Sequence, residues 1–165
     1  MSQMEDLGIR PYRAEDLDAI VEFSLRAWES VHASFEEIMG PAVTGGLYGT
    51  DWRDRQAREI RQALSQDGSA TWVAEVDSVP VGFAVAILRP DDDLGEIKLL
   101  AVDPEHQNRG IGTMLTETAT EWIAASGLPI AAIATGGDPA HAAGRRVYEK
   151  AGYTPVPAVN YFKAL

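Results

Sequence analysis

The strongest constraint on the fold lies in residues 96–112, where a mostly apolar segment passes through a glycine-containing turn into an amphipathic segment. Residues 97–102 predict a buried strand, which ends before Pro104 because proline cannot donate to a sheet ladder. Gly110 and Gly112 then precede a run with helical hydrophobic periodicity. The chain is therefore expected to form an α/β structure in which a strand, a glycine turn and a helix follow one another directly.

The start of this helix is suited to bind a phosphate group. The first-turn amides of a helix have no partner within the helix and lie at the positive end of its dipole, and glycines let a ligand approach them closely. Phosphate or pyrophosphate is the ligand that such a turn predicts. A P-loop is excluded because no lysine precedes Thr113, and a dinucleotide fingerprint is excluded because Leu115 occupies the position of its third glycine.

The string Gln107-x-x-Gly110-x-Gly112 resembles the acetyl-CoA pyrophosphate loop of the GNAT superfamily of N-acetyltransferases, Gln/Arg-x-x-Gly-x-Gly/Ala. Residues 141–153 resemble the C-terminal signature of the same superfamily, Asn-x-x-Ala-x-x-x-Tyr-Glu-Lys-x-Gly-Phe/Tyr. The positions that match this signature are Tyr148, Glu149, Lys150, Gly152 and Tyr153.

Two positions of the C-terminal signature differ in this chain. His141 stands where the family has asparagine, and Gly144 stands where it has alanine. The family asparagine contacts the arm of the coenzyme, so the resemblance leaves the role of His141 open. In element order the resemblance covers residues 9–163, and its specific motifs lie within residues 94–115 and 141–153.

Composition limits the classes of protein to which the chain can belong. A length of 165 residues with 45% hydrophobic and 24% charged residues indicates one globular domain spanning residues 1–165. The absence of cysteine excludes disulfides, thiolate metal sites and a cysteine nucleophile. No apolar run approaches the roughly 20 residues of a membrane span, and the polar N-terminus has no signal-peptide core. We therefore expect a cytoplasmic protein that does not act at a membrane.

The net charge of −11 argues against nucleic acid as a partner and favours the approach of a cationic substrate such as an amine. Residues 91–93 are three successive aspartates, which do not converge on one ion, so we expect no bound metal.

The remaining elements follow from periodicity and from turn residues. They predict a mixed, GNAT-like α/β sheet that splays open beside the central strand and carries helices on both faces. The segment around Gly45, Gly46 and Gly49 reads as a mobile loop. The predicted strands are residues 9–13, 71–76, 81–88, 97–102, 130–135, 153–156 and 159–162, and the predicted helices are residues 14–28, 51–65, 111–126 and 138–150, with a helical turn or two in residues 31–39.

The resemblance implies transfer of an acetyl group from acetyl-CoA to a primary amine by direct attack in a ternary complex. The acceptor is then a small amine, a polyamine or aminoglycoside, or a peptide or protein amine. The residues that the resemblance assigns to acetyl-CoA are Leu100, Ala101, Val102, Gln107, Asn108, Arg109, Gly110, Ile111, Gly112, Thr113 and His141. The candidates for the acceptor pocket are Trp28, His32, Phe35, Tyr48 and Trp52.

Two side chains are implied in proton transfer. Glu96 occupies the place of a glutamate that acts as a base through water in relatives of histone acetyltransferases, although a neighbouring Lys98 would lower its pKa and weaken it. Tyr148 occupies the place of the tyrosine that faces the coenzyme sulfur and acts as the acid. His32 and His106 are alternative bases, because histidine titrates in the right range.

Other functions stay open at this point. A non-catalytic acyl-CoA-binding or sensing module would keep the glycine turn without proton transfer, and a nucleotide or phosphosugar binder would use the same helix start. Many relatives pair as dimers, so a homodimer is possible.

Overall fold

The computed structural model describes residues 6–165, which form a five-stranded mixed sheet in the order β1-β2-β3-β4-β5. The strands are β1 (Leu7–Pro11), β2 (Ala70–Val76), β3 (Val79–Arg89), β4 (Leu94–Val102) and β5 (Ile130–Ile133). The helices are α1 (Leu17–Met39), α2 (Pro41–Tyr48), α3 (Trp52–Leu64), α4 (Ile111–Ala125) and α5 (Ala142–Lys150). None of the helices within residues 6–165 combines the length and the apolar composition that crossing a bilayer requires.

Both faces of the sheet are covered by helices. On one face α1 and α3 pack against Phe83 and Val85 of β3, and on the other face α4 packs against Val81, Ala84 and Ala86 of the same strand. Because β3 is buried on both faces, residues 81–86 form a continuous buried run rather than an alternating one. The predicted α/β fold with helices on both faces is confirmed.

Strands β4 and β5 separate along their length. They pair in parallel over only four positions, from Leu94 opposite Ile130 to Ile97 opposite Ile133. Beyond this point β4 continues to Val102, and its pairing with β3 skips Lys98, which forms a bulge. Within residues 6–165, no strand pairs with residues 98–102 on the β5 side. The predicted splay of the sheet is confirmed.

The region after the first strand is more helical than the sequence predicts. Helix α1 runs without interruption to Met39, and α2 forms where the sequence predicts a mobile glycine loop. Pro41 occupies the first turn of α2, where its missing N–H is not needed. Helix α2 packs on α1 through stacked rings of Tyr48 and Phe35, 5.8 Å apart. Tertiary packing thus outweighs the low helix propensity of Gly45 and Gly46.

The two strands predicted for residues 153–156 and 159–162 are wrong. Residues 154–165 have no regular secondary structure, and all of them are exposed. Pro155 and Pro157 lack the amide hydrogens that a sheet ladder needs, so this β-branched and aromatic segment does not extend the sheet.

A buried ion pair joins the first strand to the start of α1. The Arg10 guanidinium donates to both carboxylate oxygens of Asp16 at 2.8 Å and to Glu75 of β2 at 2.7 Å. The Asp16 side chain is only 3% exposed. Its hydrogen bond to Arg10 outweighs burial and holds the pKa of Asp16 below its ordinary value.

We expect Asp16→Asn to lower the free energy of unfolding at pH 7 by about 3 kcal/mol, because it leaves the Arg10 charge poorly compensated. The stabilisation is fully present above the unfolded-state pKa of about 3.9 and is lost as the pH falls through the lower folded-state value. Urea unfolding of both proteins at pH 7 and pH 3 measures this difference. Glu15→Gln, at an exposed pair with Arg13, is the control and should change stability by less than about 0.5 kcal/mol. An effect of Asp16→Asn that is equal at both pH values would assign the loss to packing rather than to charge.

Candidate active site

A cleft of about 670 Å³ opens where β4 and β5 separate. One wall is the unpaired half of β4, from Lys98 to Val102, and the opposite wall is Ile133 to Thr135 with the facing side of α5. Helix α4 begins at one end of the cleft, and residues of α1 and α3 close another side. Because the backbone of β4 is not paired along this wall, an extended ligand can hydrogen-bond to it as an added strand would.

The N-terminus of α4 is open toward the cleft. Its cap residue, Gly110, has a left-handed backbone (φ +82°) and, as a glycine, no side chain with which to cap the first turn. Gly110, Ile111, Gly112 and Thr113 all line the cleft. The first-turn amides are therefore available to an anion, as the sequence predicts.

Side-chain hydrogen bonds anchor the loop that leads to this helix. Asp103 accepts from the Glu105 amide at 3.0 Å and from Arg26 of α1 at 2.8 Å. The Gln107 side-chain amide donates to the Val102 carbonyl at 3.1 Å. The Nδ1 atom of His106 is buried and has no hydrogen-bond partner among residues 6–165, and this residue also lines the cleft. These bonds hold the loop against the end of β4 and leave the face of the loop that lines the cleft open.

The predicted coenzyme residues lie together, with one exception. All of them line the cleft except Arg109, whose side chain lies outside it. The chain brings together main-chain groups from the end of β4, the turn and the first turn of α4, together with His141 from the opposite wall.

Tyr148 lines the cleft from the last turn of α5. A β-carbon added to Gly144, one turn earlier on the same helix, would lie 3.7 Å from the Tyr148 hydroxyl. The tyrosine ring therefore leans back over Gly144, in the direction that helical side chains take. Burial raises the pKa of Tyr148 to about 12, so the hydroxyl stays protonated at neutral pH.

Glu96 does not line the cleft. Its side chain is 28% exposed, and its carboxylate lies 3.4 Å from Arg89, which also pairs with Asp92 at 2.6 Å. Lys98 does line the cleft and donates to Gln66 at 3.3 Å rather than to Glu96. Glu96 and Tyr148, the two side chains implied in proton transfer, are thus not neighbours in one cavity wall.

The aromatic residues proposed for the acceptor pocket divide into two groups. Trp28 lines the cleft from α1. His32, Phe35, Tyr48 and Trp52 instead pack on one another, with the His32 ring stacked 4.0 Å from the Trp52 ring. Burial lowers the pKa of His32, so this ring is neutral at physiological pH. These four rings join α1, α2 and α3 behind the cleft rather than forming its lining.

A polar network at the start of α5 was not predicted from the sequence. Asp138 accepts from the Ser34 hydroxyl of α1 at 3.0 Å and is hydrogen-bonded to Nδ1 of His141. Burial opposes ionisation of this carboxyl, but the bonds from His141 and Ser34 outweigh burial and keep the pKa of Asp138 below its ordinary value. The spacing Asp138-x-x-His141 was a visible signal, but the partner on α1 is distant in sequence.

The charged residues of the lining are basic. Lys98, Arg146 and Lys150 line the cleft, and within the described residues 6–165 no aspartate or glutamate does. The residues contributed by α1 and α3 are neutral, namely Ala27, Trp28, Ser30, Val31 and Gln56. A cleft of this charge suits phosphate groups and does not suit a substrate with several positive charges.

Comparison with known proteins agrees with this geometry. The sequence profile of the Acetyltransferase (GNAT) family matches residues 28–153. The chain is 37% identical over 91 residues to the mycothiol acetyltransferase of Beutenbergia cavernae, an alignment that covers 54% of this chain and 30% of that protein. It spans 30–38% of the length of the mycothiol acetyltransferases that it matches.

Solved structures with this fold include two that contain the coenzyme. The aminoglycoside N-acetyltransferase AAC(6')-Iy in complex with CoA aligns with a TM-score of 0.65 at 19% identity, over 99% of this chain and 97% of that chain. The PaiA N-acetyltransferase from Thermoplasma acidophilum in complex with coenzyme A aligns with a TM-score of 0.63 at 19% identity, over 88% and 87% of the two chains. At this identity the likeness shows the shared fold.

Proposed function

Because the chain belongs to the GNAT acetyltransferase family, we propose that it transfers an acetyl group from acetyl-CoA to a primary amine within a ternary complex. The observation that supports this most directly is the shared cleft: the uncapped start of α4, the unpaired half of β4 and Tyr148 all line it. The cytoplasmic location, the single domain and the homodimer stay predictions from the sequence.

Acetyl-CoA would be held mainly by backbone groups. The amides at the start of α4, from Gly110 to Thr113, would bind the pyrophosphate, and residues 98–102 of β4 would pair with the pantetheine arm. Arg146 and Lys150 add positive charge to the cleft for the phosphates. The thioester would then lie along β4, where an amine entering from the α1 side reaches its carbonyl carbon.

Tyr148 would stabilise the sulfur as the C–S bond breaks. Complete proton transfer from a group of pKa about 12 to a thiolate is uphill, since thiols ordinarily titrate near 8.5. A hydrogen bond from the protonated hydroxyl needs no such transfer and strengthens as negative charge develops on sulfur. The sequence predicts Glu96 as the base, but Glu96 does not line the cleft.

The side chains that line the cleft also limit the class of compound that can serve as the acceptor. A net charge of −11 attracts cations to the protein as a whole, but the cleft itself carries basic and neutral side chains. We therefore propose an acceptor with one reactive amine on a neutral or anionic body, in preference to a polyamine or an aminoglycoside.

A screen of CoA release tests the proposed function. Purified protein and acetyl-CoA are mixed with single amines of neutral and anionic compounds, peptides, polyamines, aminoglycosides and the acceptor of mycothiol acetyltransferases, and free thiol is measured. We expect release with at least one monoamine, at a kcat/KM at least about tenfold above that for polycations. Faster turnover of polycations would overturn the acceptor proposal. Stabilisation by acetyl-CoA without release by any amine would favour the non-catalytic binding module, and stabilisation by ATP or NAD but not by CoA would favour a nucleotide binder.

We expect Tyr148→Phe to lower kcat by about 10- to 100-fold, which is the value of one hydrogen bond to a developing charge. The Kd for acetyl-CoA should stay within about twofold, because the hydroxyl acts on the sulfur only as the bond breaks. Steady-state kinetics and titration calorimetry measure the two quantities. Tyr153→Phe is the matched control, because the Tyr153 hydroxyl bonds to Thr120 and the residue does not line the cleft. An unchanged kcat in Tyr148→Phe would remove this hydroxyl from the mechanism.

We expect Gly110→Pro to weaken acetyl-CoA binding by at least about tenfold, since the loss of about 1.4 kcal/mol suffices. Proline fixes φ near −65°, whereas Gly110 has φ +82°, so the turn has to rearrange. Gly127→Pro is the control, because Gly127 has φ +86° and follows the opposite end of the same helix. Titration calorimetry should show normal binding for the folded Gly127 variant. Equal weakening in both variants would mean that helix stability, rather than the turn, controls binding.

A further inference from the structure

We propose that His141, oriented by Asp138, accepts the proton that the acceptor amine loses during acetyl transfer. The inference rests on the proposed function and assigns its base. It follows from an acid–histidine pair that lines the same cleft as Tyr148, in a chain whose predicted base, Glu96, lies outside that lining.

Asp138 determines which ring nitrogen of His141 is free. One carboxylate oxygen is hydrogen-bonded to Nδ1, and the other accepts from the Ser34 hydroxyl at 3.0 Å and from the Ala140 amide at 3.2 Å. The Asp138 side chain is only 7% exposed. An ionised carboxylate can only accept hydrogen bonds, so Nδ1 carries a proton, and in the neutral ring Nε2 then keeps its lone pair. The ring therefore presents an acceptor nitrogen, as a general base must.

The position of His141 along the helix brings it toward Tyr148. His141, the residue that caps the start of α5, is followed by Gly144 and Tyr148 at intervals of three and four residues, so the three lie along one side of the helical segment 139–150. All three line the cleft, and Gly144 has no side chain to fill the space between the two rings. The Tyr148 hydroxyl lies 3.7 Å from the place that a β-carbon on Gly144 would occupy. The two departures from the family signature, histidine for asparagine and glycine for alanine, thus act on the same part of the cleft.

The surroundings hold the imidazole between the two sides of the cleft. The Phe35 ring of α1 lies 5.8 Å from the His141 ring, and Ser34 of α1 binds Asp138. Arg145 donates to the Gly136 and Asp138 carbonyls at 2.6 and 2.8 Å, which fixes the preceding turn. A β-carbon on Gly136 would lie well under 3.0 Å from both Asp138 and His141, so the pair requires glycine there.

Acetyl transfer moves one proton through His141. The amine lone pair forms a C–N bond to the thioester carbonyl carbon, and Nε2 of His141 takes the proton that this nitrogen gives up. The C–S bond breaks with its electron pair on sulfur, which accepts a hydrogen bond from Tyr148. The imidazolium releases its proton to solvent and the thiolate gains one from solvent, so the products are the amide and the free thiol of CoA.

The test replaces His141 by the residue that the family has there. His141→Asn keeps a side chain that can hydrogen-bond to the coenzyme but cannot take up a proton at neutral pH. We expect kcat to fall by about 100-fold or more, with the Kd for acetyl-CoA within about twofold and an unchanged unfolding temperature. Glu96→Gln, made in parallel, should keep kcat within about threefold of the unmodified protein. A kcat retained in His141→Asn, or lost only in Glu96→Gln, would overturn the assignment and leave the acetyltransferase function intact.

Two further comparisons separate catalysis from folding. Activity of His141→Ala should rise at least about tenfold on addition of imidazole, which restores a base but not a missing structural contact; no rise would contradict the proposal.

Gly136→Ala should lower kcat as His141→Asn does, whereas Gly137→Ala, which has open space around its added methyl group, should not. An equal loss of kcat in both glycine variants would contradict the proposed role of the Asp138–His141 pair. If the unmodified protein releases no CoA with any amine, the proposed function itself fails and this inference fails with it.

Discussion

The separation of β4 from β5 is the constraint on which the rest of the site depends. A parallel pair that ends after four positions leaves residues 98–102 without a partner strand along one edge within residues 6–165, although the Val102 carbonyl accepts from the Gln107 side chain. Buried backbone groups that stay unpaired cost about 1–3 kcal/mol each, so this edge has to face either water or a ligand that pairs with it. The bulge at Lys98 marks the point where the two strands diverge. Because α4 begins directly after β4, the free strand edge and the free helix amides belong to one continuous surface.

Charge is distributed so that the cleft differs from the protein as a whole. The chain carries −11, but the charged side chains of the cleft are Lys98, Arg146 and Lys150. The net negative charge of the protein would repel a phosphate-bearing ligand at a distance, and the basic side chains of the cleft would attract it at the site. Salt screens the long-range repulsion more than the short-range attraction. The overall charge is therefore a poor guide to the substrate, whereas the local charge follows from which side chains the fold places around the opening.

The Asp138–His141 pair shows how a functional arrangement depends on contacts between distant parts of the chain. Asp138 and His141 are three residues apart, and any turn of helix would bring them near each other. What orients them is the Ser34 hydroxyl of α1, more than a hundred residues earlier, together with the absence of a side chain at Gly136. Helix α1 reaches this turn only because it continues to Met39, whereas the sequence predicts only a helical turn or two in residues 31–39.

Local sequence was sufficient to predict the five strands of the sheet, the turn at Gly110 and the helices that carry the two family motifs, because hydrophobic periodicity and turn chemistry act over a few residues. It also identified the set of residues that meets around the start of α4, since these residues are consecutive in the chain. Tertiary structure alone decided that α2 is a helix, that residues 154–165 stay outside the sheet, that Glu96 pairs with Arg89 and does not line the cleft, and that His141 and Tyr148 line the same cleft. The physical reason is that packing and ion pairs between segments far apart in sequence have energies comparable to local preferences, and only the folded chain shows which of them form.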